Sequence, residues 1–159
     1  MEITARHHLR SDAIEEIRAA LHDGLGIELD ADTFEEVELA DSDRDVVLVD
    51  GEPLVFYHEG EPFLTVRGAN VYPPDRRIVT VDAGAVQFVS DGADIMRPGI
   101  VDADQEITAG DLVVIAEESH GKVLAIGRSR VDGEDLQGEQ GKVVDSVHHV
   151  GDDLYQLSA

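Results

Sequence analysis

The chain has 159 residues, no cysteine, and 35 acidic against 12 basic residues, which gives a net charge of −23 at pH 7. This composition excludes a disulfide framework and thiolate chemistry. No apolar run approaches the roughly 18 residues that a membrane-spanning helix needs, and the N-terminal stretch lacks the apolar core of a signal peptide.

The acidic residues are dispersed among apolar patterns that have the spacing of helices and strands, which argues against a disordered chain. We therefore predict a halophilic protein of the cytoplasm. In molar salt the Debye length is about 3 Å, so the repulsion among the carboxylates is largely screened. The alternative is an acidic protein that binds a basic partner.

The first predicted element is an amphipathic helix over residues 11–25, with Ser11 or Asp12 as its N-terminal cap and Gly24 and Gly26 at its end. Its apolar face repeats at helical spacing, through Ile14, Ile17, Leu21 and Leu25.

Short β-elements follow this helix. FEEVEL (34–39) fits a strand or a short helix, and DSDRD (41–45) fits a turn. Asp50-Gly51 lies between two apolar runs and predicts a β-hairpin. A third strand is predicted from Pro62 to Arg67. YPPDRR (72–77) is the linker, because Pro73-Pro74 fits neither a helix nor a central strand.

The second half is richer in predicted strands. A strand over 78–82 is followed by one short helix in GAVQFVSDGA, and the next strand, DIMRPGIV, is broken at Pro98-Gly99. Short strands with glycine turns at regular spacing are typical of a small barrel or sandwich. Four more strands are predicted in DLVVIAEE, KVLAIGRSRV, KVVDSVHHV and DLYQL.

The order and spacing of these segments across residues 78–157 resemble those of a PUA domain, a pseudo-β-barrel found in RNA-modifying and translation-associated proteins. The preceding segment VVLVDGEPLVFYHEGEPFLTVRGANVYP is similar to the N-terminal domain of the malignant T-cell amplified sequence family and its archaeal relatives. The resemblance implies an α+β protein. A helix-plus-antiparallel-sheet domain over residues 1–74 would precede a PUA domain over residues 75–159.

The resemblance also implies a function. Members of the family bind RNA and associate with the small ribosomal subunit, and the eukaryotic members act in re-initiation and recycling with a density-regulated partner protein. We therefore expect an archaeal RNA-binding protein that contacts tRNA or rRNA and an initiation-factor-like partner. No cofactor, DNA or membrane partner is expected. This chain departs from the family in having only two lysines, which puts individual phosphate contacts in doubt.

By the same resemblance, the RNA groove follows the short helix and its adjoining strands. Gly84 allows a tight entry into this helix, Gly92 caps it in a left-handed conformation, and Val86, Val89 and Phe88 bury against the barrel. The candidate RNA-binding residues are Gly84, Gly92, Ala93, Arg97, Gly99, Arg128, Arg130 and Lys142.

Each basic candidate has a structural alternative. Arg97 can pair with Asp94 or another acid instead of a phosphate. Arg128 and Arg130 alternate along one strand and, with Lys122 and Lys142, form either a basic stripe or ordinary pairs with local acids. Arg67, Arg76 and Arg77 are expected in interdomain salt bridges.

No catalytic arrangement is present in the sequence, and adjacent histidines such as His7-His8 and His148-His149 point to opposite faces of a strand, so no metal site is expected. The chain is therefore predicted to be a non-enzymatic RNA-binding protein. The alternatives are a protein-interaction adaptor and a detached RNA-targeting subunit of a modification enzyme. RNA binding needs a cationic or backbone-donor groove between Gly84 and Arg97, whereas an adaptor needs that groove to be acidic or closed.

Overall fold

The computed structural model of the protein describes residues 1–158, and its internal contacts divide the chain into two units. Met1–Pro73 forms the first unit together with the segment that begins at Asp153, and Pro74–Asp152 forms the second. The C-terminal segment thus groups with the N-terminal unit, whereas the sequence placed it in the second domain.

The first unit is a five-stranded antiparallel meander with strands in chain order, and helices lie beside it. Its elements are β1 (Ile3–His8), α1 (Ser11–Leu25), β2 (Phe34–Leu39), β3 (Ser42–Val49), β4 (Glu52–His58), β5 (Glu61–Leu64) and α2 (Val66–Val71). Helix α1 buries Ile17, Leu21 and Leu25, as the periodicity predicted, and ends at Gly26, which is left-handed with φ 72°.

The predicted hairpin is confirmed as β3–β4, in which Asp50 (φ 49°) and Gly51 (φ 85°) both have the positive φ of a type I′ turn. The Asp50 carboxylate also accepts hydrogen bonds from the backbone N–H of Asp32 and Thr33, both at 2.9 Å. This turn residue therefore fastens the start of β2 to the hairpin.

Several local predictions were wrong. Residues 42–45 begin β3 rather than forming a turn, and β1 was not predicted at all. The strand expected to reach Arg67 stops at Leu64, because Thr65 Oγ1 accepts the N–H of Gly68 and starts α2. Neither Ser11 nor Asp12 is the N-cap of α1, which follows Arg10 and has no side-chain cap.

The second unit contains a six-stranded sheet in the order β7-β11-β10-β9-β6-β8. Among the strands that the structure describes in this sheet, only β6 and β9 pair in parallel. The two edge strands are separated by a three-residue 3₁₀ turn, Arg97–Gly99, so the sheet curls back on itself into the predicted pseudo-barrel. The elements are β6 (Ile78–Val81), α3 (Ala83–Ser90), β7 (Ile95–Met96), β8 (Ile100–Ala103), β9 (Leu112–Glu117), β10 (Val123–Ser129) and β11 (Lys142–His149).

The barrel encloses an apolar core, and helix α3 contributes Val89 to it. The fold is α+β, as expected, but the last predicted strand, DLYQL, is instead helix α4 (Asp153–Gln156). No helix within residues 1–158 is both long and apolar enough to cross a bilayer. The core residues are Val79, Val81, Val89, Ile95, Ile100, Ala103, Ile107, Val113, Ile115, Leu124, Ala125, Leu136, Val143 and Val144.

Candidate nucleic-acid interface

A groove of about 750 Å³ lies on the second unit, where α3 faces β7 and the 3₁₀ turn. Its lining is mostly apolar and includes the α3 side chains of Ala85 and Phe88 and, opposite them, Met96 and Pro98. Of the predicted site residues, the groove brings together Gly84, Gly92, Ala93, Gly99 and Lys142; Arg97, Arg128 and Arg130 do not line it.

Both ends of α3 are fixed by local hydrogen bonds. Asp82 Oδ1 accepts the N–H of Ala85 at 3.0 Å and caps the first turn. At the other end the N–H of Ala93 donates to Phe88 O at 3.0 Å, and Gly92 has φ 91°. The left-handed cap predicted at Gly92 is therefore present.

The three predicted glycines differ in what requires them. A Cβ on Gly92 would lie 2.7 Å from His149 Nε2, so something would have to shift there, and one on Gly99 would make a tight contact of 3.0 Å with the Cβ of Ala85. A Cβ on Gly84 would meet only Asp82 Oδ1, at an ordinary 3.4 Å. Both its conformation and its packing therefore favour glycine at Gly92, the space at Gly99 is tight, and neither constraint applies at Gly84.

The prediction that Phe88 buries against the barrel was wrong. Its side chain is 67% exposed, whereas the adjacent Val89 is 2% exposed and Val86 is half-buried. Successive helical residues are about 100° apart around the axis, so α3 cannot turn both Val89 and Phe88 into the core. Phe88 and the 47% exposed Met96 are the large apolar groups of the groove, and the candidate list contained neither.

Arg97 binds the loop that precedes β11. Its Nε donates to Asp135 O at 2.9 Å and its Nη1 to Gln140 O at 3.0 Å, while its backbone N–H donates to Gly141 O at 2.8 Å. The predicted alternative, a pair with Asp94, is not formed, because Lys142 Nζ occupies that carboxylate at 3.2 Å.

The remaining basic candidates also have intramolecular partners. Arg130 forms an ion pair with Asp145, and Arg128 donates to Gly110 O. Asp94, which binds Lys142, also accepts the N–H of Ser146 at 2.8 Å, and this backbone hydrogen bond is the main cause of its lowered pKa. Two residues of the expected basic stripe, Arg130 and Lys142, are thus neutralised by carboxylates of the same unit, and Arg128 is hydrogen-bonded to a carbonyl.

Several contacts of the arginines near the linker lie within one unit. Arg67 donates to Tyr155 O at 3.0 Å and stacks on that ring at 5.1 Å. Arg76 lies 3.4 Å from Asp75 and Arg77 lies 3.7 Å from Asp111. These contacts are not interdomain salt bridges, and the predicted interdomain role of the three arginines stays a prediction.

His148 and His149 each have a hydrogen-bonding partner within the chain. His148 is fully buried and bonds to Asp152 at 2.8 Å, as expected of a histidine that packs in the last strands. His149 Nδ1 lies 3.0 Å from Ser90 O, at the end of α3. Within residues 1–158, three carboxylates approach one another closely enough to hold a cation, but all three residues are exposed and such clusters are common in acidic surfaces; they are Asp132, Glu134 and Asp135.

Comparison with known proteins supports the predicted resemblance. Residues 77–151 match the model of the PUA domain family. Translation machinery-associated protein 20 of Eremothecium gossypii is 30% identical over 125 residues, which cover 74% of this chain and 69% of that protein. The chain belongs to the family of translation machinery-associated protein 20. Malignant T-cell-amplified sequence 1-A of Xenopus laevis is 29% identical over 118 residues, 71% of this chain and 65% of that protein.

Other relatives match this chain along nearly its whole length. An uncharacterised protein of Methanocaldococcus jannaschii is 31% identical, and the match covers 99% of each sequence. The crystal structure of a hypothetical protein from Pyrococcus horikoshii superposes with a TM-score of 0.87 at 31% identity, covering 98% of this chain and 100% of that one. These two matches span nearly the whole of both chains, while the fungal and frog relatives are matched over about two thirds of their length.

Proposed function

We propose that this protein is a non-enzymatic RNA-binding protein of translation, and that it contacts tRNA or rRNA through the groove between α3 and β7. Membership in the translation machinery-associated family supports a role near the small ribosomal subunit, together with an initiation-factor-like partner. The name of the Eremothecium gossypii relative describes a translation machinery-associated protein. The groove adds the chemistry by which an RNA segment would be held.

The exposed aromatic ring in the groove is the observation that carries this proposal. Exposing two thirds of a phenylalanine leaves a large apolar surface in water, and an aromatic face supplies about 1–3 kcal/mol when an unpaired base stacks on it. Met96 lies on the facing strand and extends the same apolar surface. We therefore expect the groove to take unstacked bases rather than the backbone of a duplex.

The paired cations support the same mode of binding. Arg130 and Lys142 have carboxylate partners, and Arg97 and Arg128 have carbonyl partners, so none of them is fully available to phosphate. Counterion release therefore contributes little, and the affinity should fall only weakly as the salt concentration rises. Stacking that resists salt suits a chain that is expected to work in molar salt.

The test replaces the ring and measures binding to a labelled single-stranded RNA of about twelve nucleotides. Phe88→Ala should weaken binding by roughly tenfold, about 1.4 kcal/mol, because a stacking surface is lost, and the melting temperature should not fall because the side chain is exposed. Val101→Ala is the matched control: it removes a 41% exposed apolar side chain of the same unit that does not line the groove.

Wild-type affinity in Phe88→Ala, for the oligonucleotide and for purified small ribosomal subunits, would show that the groove is not the RNA site. Retention of a basic protein partner by the same variant would then favour the adaptor alternative.

A further inference from the structure

The tip of the β9–β10 hairpin, residues 118–122, has a backbone fixed by a single carboxylate. The Glu117 oxygens accept the N–H groups of Ser119, His120 and Lys122 at 2.9, 2.7 and 3.0 Å. These bonds hold the pKa of Glu117 below its usual value, with the Lys122 N–H as the largest cause. A turn closed by three such bonds presents its side chains from a defined backbone.

The hairpin tip lies near the end of the groove where helix α3 begins. Glu117 pairs with Val81 in the parallel β6–β9 ladder, and the N–H of Glu118 donates to Val81 O at 3.1 Å. The residue after Val81 is Asp82, which caps α3 and, with Gly84, lines the groove. An RNA strand that leaves the groove past the start of α3 therefore passes the hairpin tip.

The tip also carries the cation that the rest of the molecule leaves available. Among the lysines and arginines of residues 1–158, only Lys122 has a side chain without an intramolecular partner. Every other one bonds or stacks against the chain itself, as Arg97, Arg128, Arg130 and Lys142 do around the groove. Lys122 is exposed, and its ammonium group is free to donate to a phosphate oxygen.

We propose that the β9–β10 hairpin tip is the phosphate-binding arm of the RNA site, with Lys122 donating to one backbone phosphate of a strand whose bases occupy the groove. This inference rests on the proposed function and adds the anionic contact that the groove lacks. Glu118 is exposed on the same turn, and its carboxylate repels the phosphate. Binding therefore depends on the direct contact between Lys122 and the phosphate. In molar salt the Debye length is about 3 Å, so repulsion from more distant carboxylates is screened, whereas a direct contact between the ammonium group and a phosphate oxygen is screened much less.

The experiment measures the affinity of the full chain for the same single-stranded RNA at several KCl concentrations. Lys122→Gln should weaken binding roughly threefold to tenfold and flatten the slope of log K against log salt by about 0.7, the value for one phosphate of a single strand. Glu118→Gln should strengthen binding, because it removes the opposing charge and keeps the backbone bond to Val81. Arg10→Gln is the control, since Arg10 is an exposed cation of the first unit that pairs with Asp12.

The outcomes separate this inference from the function on which it rests. If Phe88→Ala weakens binding while Lys122→Gln keeps the wild-type affinity and salt slope, the phosphate arm is wrong and the groove stands. If neither variant changes binding, both are wrong. A flattened slope in Lys122→Gln, with an unchanged melting temperature and no change in Arg10→Gln, supports the arm.

Discussion

Gly92 and Gly84 lie at opposite ends of the same helix, and only Gly92 is constrained by its conformation. At Gly92 an alanine would need φ near 91° and a Cβ within 2.7 Å of the His149 ring, which is itself held by Ser90 O and Val150 O. We expect Gly92→Ala to lower the free energy of unfolding by at least about 1 kcal/mol, the cost of a left-handed side-chain residue. Denaturant melts in high salt measure this value.

Gly84→Ala is the matched control, because its Cβ would find ordinary contact and the residue lies within α3. It should leave stability unchanged or raise it by up to about 1 kcal/mol, since alanine is the better helix former. Equal stabilities for the two variants would contradict the assigned left-handed cap.

Arg97 is better suited to position a loop than to bind phosphate directly. Its guanidinium donates to carbonyls at Asp135 and Gln140, and a Cβ on either Gly138 or Gly141 would lie within about 3 Å of its side chain. We expect Arg97→Gln to speed amide hydrogen exchange in residues 135–141 and to destabilise the protein by about 1 kcal/mol.

The salt dependence of RNA binding separates the two roles of Arg97. A positioning residue leaves the slope of log K against log salt unchanged in Arg97→Gln, whereas a phosphate ligand flattens it by about 0.7. A flattened slope in Arg97→Gln, together with normal amide hydrogen exchange in residues 135–141, would show that Arg97 contacts phosphate directly.

At the scale of elements, the β9–β10 hairpin should have an acid-sensitive turn. Hydrogen bonds from backbone N–H groups lower the folded-state pKa of Glu117, so its contribution to stability is complete above the unfolded value near 4.5 and is lost as the pH falls through the folded value. Glu117→Gln should therefore reduce the stability difference between pH 7 and pH 3.5, measured by thermal melts in high salt.

Glu118→Gln is the control for this pH dependence, because it removes the neighbouring exposed carboxylate and keeps the three N–H bonds of the turn. Identical pH profiles for Glu117→Gln and the wild type would mean that the turn does not depend on this charge.

Local signals predicted some elements well and could not predict others. Asp50-Gly51 specified the β3–β4 hairpin because a type I′ turn depends on those two residues alone. DLYQL was assigned to a strand, although Leu154 and Leu157 are both buried and their three-residue spacing is helical. Strand β1 has only two apolar residues, Ile3 and Ala5, and is formed by pairing with β2, which no local pattern in ITARHH indicates.

The candidate site was predictable in its backbone and not in its charges. The glycines and the short helix follow from local sequence, and Gly84, Gly92 and Gly99 all line the groove. The partners of Arg97 lie about forty residues away in the chain, at Asp135 and Gln140, and are set by how β11 pairs with β7. The tertiary structure therefore decides which cations are free to bind phosphate. Lys122 could be distinguished from the other basic residues only once their partners in the fold were known.

At the scale of the whole molecule, the net charge of −23 should make stability depend on salt. The carboxylates outnumber the lysines and arginines nearly threefold, so most of them cannot pair with a lysine or arginine of the chain. Raising KCl from about 0.1 M to about 3 M shortens the Debye length from about 10 Å to less than 3 Å and screens this repulsion. We expect the melting temperature to rise steeply over this range and the protein to lose structure at low salt.

A local charge variant tests whether screening is the cause of that rise. Glu134 and Asp135 are exposed and, with Asp132, bring three carboxylates within 4.8 Å of one another. Replacing Glu134→Gln together with Asp135→Asn removes two of these charges, so it should raise the melting temperature at low salt and leave it nearly unchanged in 3 M KCl, where the repulsion is already screened. A wild-type melting temperature that does not change between the two salt concentrations would contradict adaptation to high salt, and an equal gain for the variant at both would show that the effect is not electrostatic.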